Sequence, residues 1–393
     1  MDMTKDLQTH YQGFDVSERI LLSGHSHQAW PDVAKQGMVD CFNDAAKHID
    51  DKWELAFEKA EKVRNFYRRA MCDPSGQMAL GESTHELILM FLSDLNCFKA
   101  KKSTQIKIVT TDGEFHSMRR QLNRLKTLGI NVEVVPTLPL ETLSNRIIEK
   151  LDRSTDAVML SAVFFATSQI FKQVGEVAQA AKSLNIPCVV DAYHTINVLE
   201  FDLAKWQLQG AFVIGGGYKY CQAGEGNCFM RIPPNYHGSP IITGWFAEFE
   251  TLSQAPDQVS YGQGQAAFAG STYDPTSHYR AAAVFDFFDR LNLSVALLSQ
   301  INRQQVSRLW RGIENLHLAH EVLALPCHDI ADNAGFLSLT TPQAEEWVQK
   351  LKSRGVQADS RGNQLRLGPA PYVSNEQIDN ALNEIELVAK QFS

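Results

Sequence analysis

The chain has 393 residues, enough for one large domain with a smaller one or for two medium domains, and its proportions of 44% hydrophobic and 21% charged residues are ordinary for a globular protein. A net charge of -8 argues against non-specific binding to nucleic acid. No apolar run approaches the roughly 20 residues that cross a bilayer, and the N-terminal segment lacks the hydrophobic core of a signal peptide. Seven scattered cysteines without a CxxC pair predict a reduced, cytoplasmic protein. From the charge and the lack of a membrane span we expect neither nucleic-acid nor membrane partners.

The first two thirds of the chain carry the pattern of an α/β sheet. A helix is predicted over ESTHELILMFLSDL (82–95), where Ser83 and Glu86 have the spacing of a capping box. Near-continuous apolar strands separated by helical segments then predict a parallel-rich sheet covered on both faces. The predicted strands are IKIVTT (106–111), VEVVP (132–136), DAVMLSAVF (156–164), PCVVDAYH (187–194), GAFVIGGG (210–217) and NCFMRIP (227–233).

The last third of the chain has a different order of elements. A long helical stretch (277–320) precedes the helix TPQAEEWVQKLKSRG, the strand QLRLG (364–368) and the final helix SNEQIDNALNEIELVAKQ. This order predicts a separate small α+β domain. We therefore expect three parts: an N-terminal segment (1–50) that contributes to the small domain and the active site, a large α/β domain (51–290), and the small C-terminal domain (291–393).

One lysine stands in an unusual setting, GGGYKYCQAGEG (215–226). The segment is not a phosphate-binding P-loop, because Tyr220 follows Lys219 where that motif requires Ser or Thr. A solvated surface lysine is the plain interpretation. The alternative is a lysine that forms a Schiff base, which needs a desolvated amine and close backbone. Asp191 ends the strand PCVV, where α/β proteins place ligand-binding groups, although an Asp there also serves as a helix cap.

The motif DAYH (191–194), followed by YK (218–219), resembles the fold-type I enzymes that use pyridoxal 5'-phosphate (PLP). Within them it is most similar to the class V aminotransferase group and to kynureninases, which have D-x-x-H and a Tyr before the lysine. The resemblance implies the α/β fold of PLP-dependent transferases (aspartate aminotransferase-like), with a mostly parallel seven-stranded sheet, helices on both faces and a small α+β domain. It also implies that Lys219 and Asp191 are catalytic, with Lys219 attached to PLP and Asp191 keeping the ring nitrogen protonated.

Further segments resemble the cofactor-binding passages of that family. LGESTHELILMFL is similar to the passage that holds the phosphate, GEFHS (113–117) to one with an aromatic ring stacked on the pyridine, and MLSAVFFATSQIF (159–171) to one beside the ring oxygen. The implied cofactor-binding residues are Ser83, Thr84, Phe115, Ser117, Thr167, Ser168, Asp191, His194, Tyr218, Lys219 and Trp245. Helix capping is the plain alternative for the first two, and hydrophobic packing for Phe115 and Trp245.

A later segment bears on the oligomeric state. AGSTYDP (269–275) resembles the passage that contributes to the phosphate site of the neighbouring subunit. The resemblance implies that Ser271 and Thr272 bind the phosphate in trans, in a homodimer whose active sites lie at the interface.

The substrate side of the site is implied by LRLGPAPY (365–372), which resembles the passage whose arginine holds the substrate α-carboxylate. Arg366 would form a bidentate fork that lysine does not reproduce, whereas an exposed strand arginine is the plain alternative. His25, His27 and His116 are candidates to line the substrate pocket. A metal site at the first two histidines lacks an evident third ligand, so none is predicted.

Two departures from the family pattern affect the expected reaction. Met118 stands where the family has Asp, and Ala166 lies in a segment where the family has Asn-Tyr-Arg-Thr. We expect a kynureninase-like enzyme acting on an amino acid, by hydrolytic Cβ–Cγ cleavage or by β-elimination. An aminotransferase or epimerase of class V is the alternative. Cysteine desulfurases need a mobile Cys just upstream of the carboxylate-binding arginine, and no Cys lies between Val356 and Arg366, so this activity is less favoured. A non-enzymatic protein of this fold is least favoured.

Overall fold

A computed structural model describes residues 3–99, 105–249, 251–252 and 259–392. Its α-helices are α1 Met3–Gln8, α2 Val33–His48, α3 Lys52–Ala70, α4 Thr84–Asp94, α5 Asn96–Lys99, α6 His116–Lys126, α7 Leu143–Ile148, α8 Val174–Ser183, α9 Thr276–Arg290, α10 Val295–Asn315, α11 Ala344–Ser353 and α12 Asn375–Ala389. Its strands are β1 Ile20–Leu21, β2 Gln77–Gly81, β3 Lys107–Thr111, β4 Asn131–Val135, β5 Thr155–Ser161, β6 Cys188–Asp191, β7 Phe212–Gly215, β8 Cys228–Ile232, β9 Leu337–Thr340, β10 Val356–Gln357, β11 Asp359–Arg361 and β12 Gln364–Leu367.

The large sheet has seven strands in the order β2-β8-β7-β6-β5-β3-β4. Strand β8 is antiparallel to both of its neighbours, and the other pairings are parallel. The predicted α/β fold with a mostly parallel seven-stranded sheet is therefore confirmed. Because the parallel strands share one direction, the ends of β5, β6 and β7 meet at one edge, the usual place for a ligand in such sheets.

Alternate residues of the central strands pack into different apolar clusters. Val158, Val190 and Val213 belong to one cluster, whereas Val189 and Ile214 belong to the other. This alternation follows from the two-residue repeat of a strand, and it shows that both faces of the sheet are covered. The near-continuous apolar runs in the sequence have this physical cause.

A second, three-stranded sheet has the antiparallel order β11-β12-β9 in the C-terminal part. The N-terminal segment joins this part, because β1 pairs in parallel with β10. The predicted helical stretch 277–320 consists of two helices, α9 and α10, and Ser294 caps the second through a hydrogen bond from the Leu297 N–H. Among the described residues, no helix is both long enough and apolar enough to span a bilayer.

Candidate functional site

Lys219 follows β7 at the edge of the sheet where the parallel strands end, and only 5% of the residue is exposed. Its Nζ lies 2.8 Å from His194 Nε2. The same nitrogen lies 4.9 Å from the centre of the Tyr193 ring and 5.3 Å from the centre of the Phe115 ring. The plain interpretation of a solvated surface lysine is therefore wrong.

Burial lowers the pKa of Lys219 to about 7; Asp191 acts in the opposite direction, and the charge of Arg366 lowers the value further. An ordinary lysine has a pKa near 10.4, so a much larger fraction of this amine is neutral at physiological pH. A neutral amine is the nucleophilic form that attacks a carbonyl carbon. The surroundings of Lys219 thus favour carbonyl chemistry.

Asp191 occupies the last position of β6 and pairs in register with Ser161 of β5. Its Oδ1 accepts a hydrogen bond of 2.8 Å from the Tyr193 N–H. Burial raises the pKa of this carboxyl, while the Tyr193 N–H and the charge of Lys219 oppose the rise. Because burial is the largest of these effects, the Asp191 carboxylate holds a proton more readily than an exposed aspartate and is able to share one with a ligand group in the cleft.

His194 is buried between two polar groups. Its Nδ1 lies 3.3 Å from the Tyr220 hydroxyl, and its Nε2 faces the amine of Lys219. Burial and the charge of Lys219 hold the pKa of His194 well below its ordinary value, so the ring is neutral. A neutral ring with a nitrogen toward the amine accepts or donates one hydrogen bond without adding charge to the site.

The glycines before Lys219, which the Schiff-base interpretation would explain by close approach of a cofactor to the backbone, are packed against protein side chains. A Cβ at Gly216 would lie 2.4 Å from Tyr193 Oη, and a Cβ at Gly217 would lie 2.0 Å from Asn227 Oδ1. Protein side chains therefore exclude larger residues at these two positions. Gly224 has a positive φ of 66° in the segment that leads into β8, a conformation that glycine adopts without strain.

A small cleft in front of Lys219 brings several predicted residues together. It is lined by Thr84, Phe115, Ser161, Val163, Phe165, Asp191, Tyr193, His194, Tyr218 and Lys219. Six of these were predicted to bind a cofactor. Sequence reasoning missed the other four, Ser161, Val163, Phe165 and Tyr193. Tyr193 could have been found, because it lies in the motif DAYH between Asp191 and His194, which were both predicted to bind the cofactor.

Glu114 lies behind the cleft and was also missed by sequence reasoning. It is 1% exposed, and its two carboxyl oxygens accept hydrogen bonds of 2.6 Å from Thr111 Oγ1 and 2.5 Å from Ser161 Oγ. Burial raises the pKa of Glu114 to about 8, although the two hydroxyl donors oppose the rise. Because Ser161 pairs with Asp191, this carboxyl belongs to the surroundings of that residue.

The aromatic wall of the cleft is formed by Phe115 and Phe165, whose rings meet edge to face at 5.2 Å. Phe115 precedes helix α6, which starts at His116. The His116 ring lies 5.3 Å from Phe165, and its Nδ1 is 2.9 Å from Arg119 Nη2. Ser117, the next residue of the helix, is half-buried and does not line the cleft.

The N-terminus of α4 combines capping with a cleft position. Ser83 caps the helix by accepting a hydrogen bond of 3.2 Å from the Glu86 N–H. In a capping box the Glu86 carboxylate would accept a hydrogen bond from the Ser83 N–H. Here it accepts from the N–H of the preceding residue, Glu82, at 2.8 Å. Thr84, the first helical residue, is buried and lines the cleft.

Two hydroxyl residues predicted beside the ring oxygen have local partners. Thr167 Oγ1 accepts a hydrogen bond of 3.4 Å from the Gln169 N–H, and Thr167 does not line the cleft. Ser168 is fully buried with a positive φ of 62°, and its Oγ accepts from the Phe336 N–H at 3.3 Å. Both hydroxyls thus stabilise the loop after β5.

Ser271 and Thr272, which were predicted to act across a dimer, lie beside Trp245, which was predicted to bind the cofactor. Trp245 Nε1–H donates to Thr272 Oγ1 at 3.3 Å, and the residue is 43% exposed. Ser271 and Thr272 line a second cavity that also contains Arg64 and His278. None of these residues lines the cleft in front of Lys219.

Arg366 is 3% exposed, and each of its three guanidinium nitrogens donates a hydrogen bond within the protein. Nε and Nη2 donate to the two carboxylate oxygens of Asp359 at 2.8 and 2.5 Å, and Nη1 donates to the Phe165 carbonyl at 2.7 Å. His25 Nε2 lies 2.8 Å from Asp359 Oδ1. Phe165 lines the cleft, so this network adjoins it.

His27 lies on the other side of the site, stacked on Tyr218 with ring centres 4.8 Å apart. Its Nε2 is 3.6 Å from the Glu225 carboxylate, and its side chain is 63% exposed. His25, by contrast, is buried and stacks on Phe336. Across the part of the chain that the structure describes, no cluster of three or more His, Cys, Asp or Glu is arranged to hold a metal ion.

Known proteins resemble the chain both in sequence and in structure. Residues 303–385 match the family model of the kynureninase C-terminal domain. The protein named uncharacterized aminotransferase YcbU of Bacillus subtilis is 22% identical over 387 residues, which cover 96% of this chain and 94% of that protein. A mitochondrial cysteine desulfurase of Arthroderma benhamiae is 21% identical over 74% of this chain and 57% of its own.

Two solved structures superimpose over nearly the whole chain. A C-DES variant with glycine covalently linked to its PLP cofactor has a TM-score of 0.82 and 15% identity, over 96% of this chain and 98% of that one. The apo cysteine desulfurase of Thermococcus onnurineus NA1 has a TM-score of 0.80 and 17% identity, over 98% of both chains. The chain has the fold of the fold-type I enzymes. The resemblance predicted from DAYH and YK is thereby confirmed, and the match to the kynureninase C-terminal domain lies in the C-terminal part of the chain.

Proposed function

We propose that the chain is a PLP-dependent enzyme of the class V group that acts on an amino acid, with the cofactor attached to Lys219. The observation that carries the proposal is the buried amine of Lys219, whose pKa is lowered to about 7, in one cleft with the carboxylate of Asp191. The similarity to the kynureninase C-terminal domain and to PLP-containing structures supports it.

The residues of the cleft fit this cofactor. When bound, PLP supplies a carbonyl for the lysine and withdraws electrons from the Cα of an attached amino acid. Asp191 would hold a proton on the ring nitrogen, and Phe115 would cover one face of the ring. His194, which is neutral, would donate or accept a hydrogen bond at the ring oxygen without altering the charge.

Lys219 has a second role once the substrate is bound. Its free amine, with the pKa near 7, is a general base that removes the Cα proton at neutral pH. His194 Nε2 at 2.8 Å fixes the direction of that amine. The hydrophobic wall of Phe115 and Phe165 excludes water from the reacting atoms.

The phosphate end of the site is proposed to need two copies of the chain. Thr84 and Tyr218 line the cleft of one protomer, whereas Ser271 and Thr272 lie in the separate cavity. We propose a homodimer in which these two residues reach the partner's cleft. An exposed aromatic surface beside them, with Trp245 43% and Phe249 50% exposed, is of the kind that a partner subunit covers.

The reaction we propose is kynureninase-like, either hydrolytic Cβ–Cγ cleavage or β-elimination, with Arg366 holding the substrate α-carboxylate. Met118, which replaces a carboxylate of the family, is buried in the apolar core and contributes no polar group to the cleft. An aminotransferase is the second candidate, because the relative that is named an aminotransferase matches this chain over 94% of the relative's length. Cys41, Cys72, Cys188, Cys221, Cys228 and Cys327 are free thiols, which fits the proposed reducing, cytoplasmic compartment.

The assignment of Lys219 is tested by the colour of the purified protein. Attached cofactor gives an absorbance band at roughly 410–430 nm, and borohydride should remove the band and leave a reduced cofactor on Lys219 in the peptide map. Lys219→Ala should lack the covalent label and lose turnover by about 10²–10⁴-fold, while the exposed Lys205→Ala keeps both. Covalent cofactor in Lys219→Ala would refute the assignment.

The reaction class is tested separately, by a screen of amino acids for spectral change and by identification of the products. Anthranilate formed from kynurenine would support Cβ–Cγ cleavage. Turnover of other amino acids alone, with kynurenine unchanged, would exclude strict kynureninase activity and leave the broader proposal standing.

A further inference from the structure

The guanidinium of Arg366 already has a carboxylate ligand in this chain. Asp359 occupies the edge formed by Nε and Nη2, with one oxygen on each nitrogen at 2.8 and 2.5 Å. This two-point geometry is the one by which arginine recognises a carboxylate in a ligand. Asp359 therefore takes the place that the substrate α-carboxylate would take in the proposed function.

The remaining edge of the guanidinium offers little to a ligand. Nη1 donates to the Phe165 carbonyl at 2.7 Å, and the whole side chain is 4% exposed. The Phe336 ring lies 5.5 Å from the guanidinium carbon. A carboxylate that enters the fork of Nε and Nη2 must consequently replace Asp359.

Asp359 is held in place by His25. The His25 ring is buried, its Nε2 lies 2.8 Å from Asp359 Oδ1, and its Nδ1 has no hydrogen-bond partner among the described residues. Burial lowers the pKa of His25 to about 4 despite the carboxylate beside it. The ring is thus neutral at physiological pH and donates one hydrogen bond from Nε2, so Asp359 has no second full charge on that side.

Asp359 also has a route out of the pair. It lies on β11, a three-residue strand at the edge of the small sheet that pairs with β12, and 19% of its side chain is exposed. Arg361, at the other end of β11, has a 44% exposed side chain and an Nη2 at 4.0 Å from Asp359 Oδ2. A small rotation of the Asp359 side chain would exchange the buried arginine for the exposed one.

We propose that Asp359 is a specificity-determining residue that competes with the substrate carboxylate for Arg366. In the absence of substrate it neutralises the buried guanidinium, and on binding it moves toward Arg361 while the substrate carboxylate enters the fork. The inference rests on the proposed role of Arg366. It adds that carboxylate binding includes the breaking of an internal ion pair, so only ligands that fill both positions of the fork bind well.

The competition is tested with propionate, a carboxylate without an amine, in the intact protein with its cofactor. The apparent dissociation constant is obtained from the rise of the melting temperature with propionate concentration. Asp359→Asn should bind propionate about tenfold or more tightly than the wild type, since a charge-assisted pair no longer opposes entry. Asp379→Asn, which removes a similar two-point partner from the exposed Arg308, should leave the constant unchanged.

Two controls identify the site of binding. Arg366→Gln should abolish the propionate effect, and the uncharged propionamide should give none in any variant. Unchanged or weaker propionate binding in Asp359→Asn would overturn the competition, since it would mean that Asp359 supports carboxylate binding or has no part in it.

The wild-type protein provides a second test that does not depend on the folding of a variant. In wild-type protein labelled with ¹³C at the aspartate carboxyl groups, propionate should shift the NMR signal of the Asp359 carboxylate, because that carboxylate leaves Arg366. An unchanged Asp359 signal at saturating propionate would overturn the proposal. The absorbance band of the same samples reports the cofactor at Lys219 independently. If the band is present but propionate does not displace Asp359, the role of Asp359 alone is refuted. If the band is missing, the proposed function is refuted.

Discussion

Two arginine–aspartate pairs in the C-terminal part of the chain have almost the same geometry and opposite surroundings. Arg366 and Asp359 are joined by two hydrogen bonds of 2.8 and 2.5 Å, and Arg308 and Asp379 by two of 2.7 and 2.6 Å. The first pair is 4% and 19% exposed, the second 43% and 47%. The first joins two strands of the small sheet, and the second joins helices α10 and α12.

The difference in burial changes what the same contact does. For the exposed pair, water competes for both charges, so the net gain from pairing is small. For the buried pair, the charge of Arg366 depends on Asp359, because almost no solvent reaches the guanidinium to replace the carboxylate. The buried pair also has a third member, His25, and a carbonyl partner at the cleft wall. Contact geometry alone therefore does not distinguish a structural pair from one placed to take part in binding.

The largest expected difference between the pairs is in the cost of removing the arginine. Arg366→Ala leaves the carboxylate of Asp359 without its main partner and should lower the free energy of unfolding by about 3–5 kcal/mol. Arg308→Ala should lower it by no more than about 1 kcal/mol. Urea unfolding of both variants at neutral pH makes the comparison, and equal losses would show that burial does not separate the pairs.

A second expected difference is in the response to acid, because only the buried pair includes a histidine. Burial lowers the pKa of His25 to about 4 in the folded protein, while its value in the unfolded chain is about 6.5. The unfolded chain then binds more protons between pH 6.5 and 4, so folding stability falls as the pH falls through this window, by about 3 kcal/mol in total.

The change that isolates this effect is His25→Asn, which keeps an N–H donor for Asp359 and does not titrate. Its free energy of unfolding should fall less between pH 7 and pH 4.5 than that of the wild type, by about 2–3 kcal/mol. The exposed His320→Asn is the matched control. Parallel curves for wild type and His25→Asn would contradict the neutral state of this ring.

The sheet and the position of two site residues could be predicted from the sequence. The sheet was predictable because each buried strand is apolar along its length, as in the run Cys188–Val190 of β6. The ends of two such strands placed Asp191 and Lys219 together, since parallel strands end at the same edge. These inferences depend only on local pattern and strand direction.

The partner of Arg366 depends on register, which sequence reasoning did not use. Gly362 and Asn363 form a two-residue turn between Arg361 and Gln364, and the ladder then sets Asp359 opposite Arg366. A Gly-Asn turn is a recognised hairpin signal, so this pairing could have been found. The cause of the glycines before Lys219 could not, because it depends on Tyr193 and Asn227, which come close only in the fold.

The smallest expected difference between the two pairs is in their response to salt. A double-mutant cycle of Arg308→Ala with Asp379→Ala should give a coupling energy of about 0.2–1 kcal/mol at low ionic strength. In 1 M NaCl the Debye length is about 3 Å, so most of this coupling should vanish, whereas the cycle of Arg366→Ala with Asp359→Ala should change little because the pair is shielded from the solvent ions. Denaturant melts of each cycle at both salt concentrations provide the measurement. If salt weakened both couplings equally, water and ions would have free access to Arg366, and a ligand carboxylate could reach it without moving Asp359.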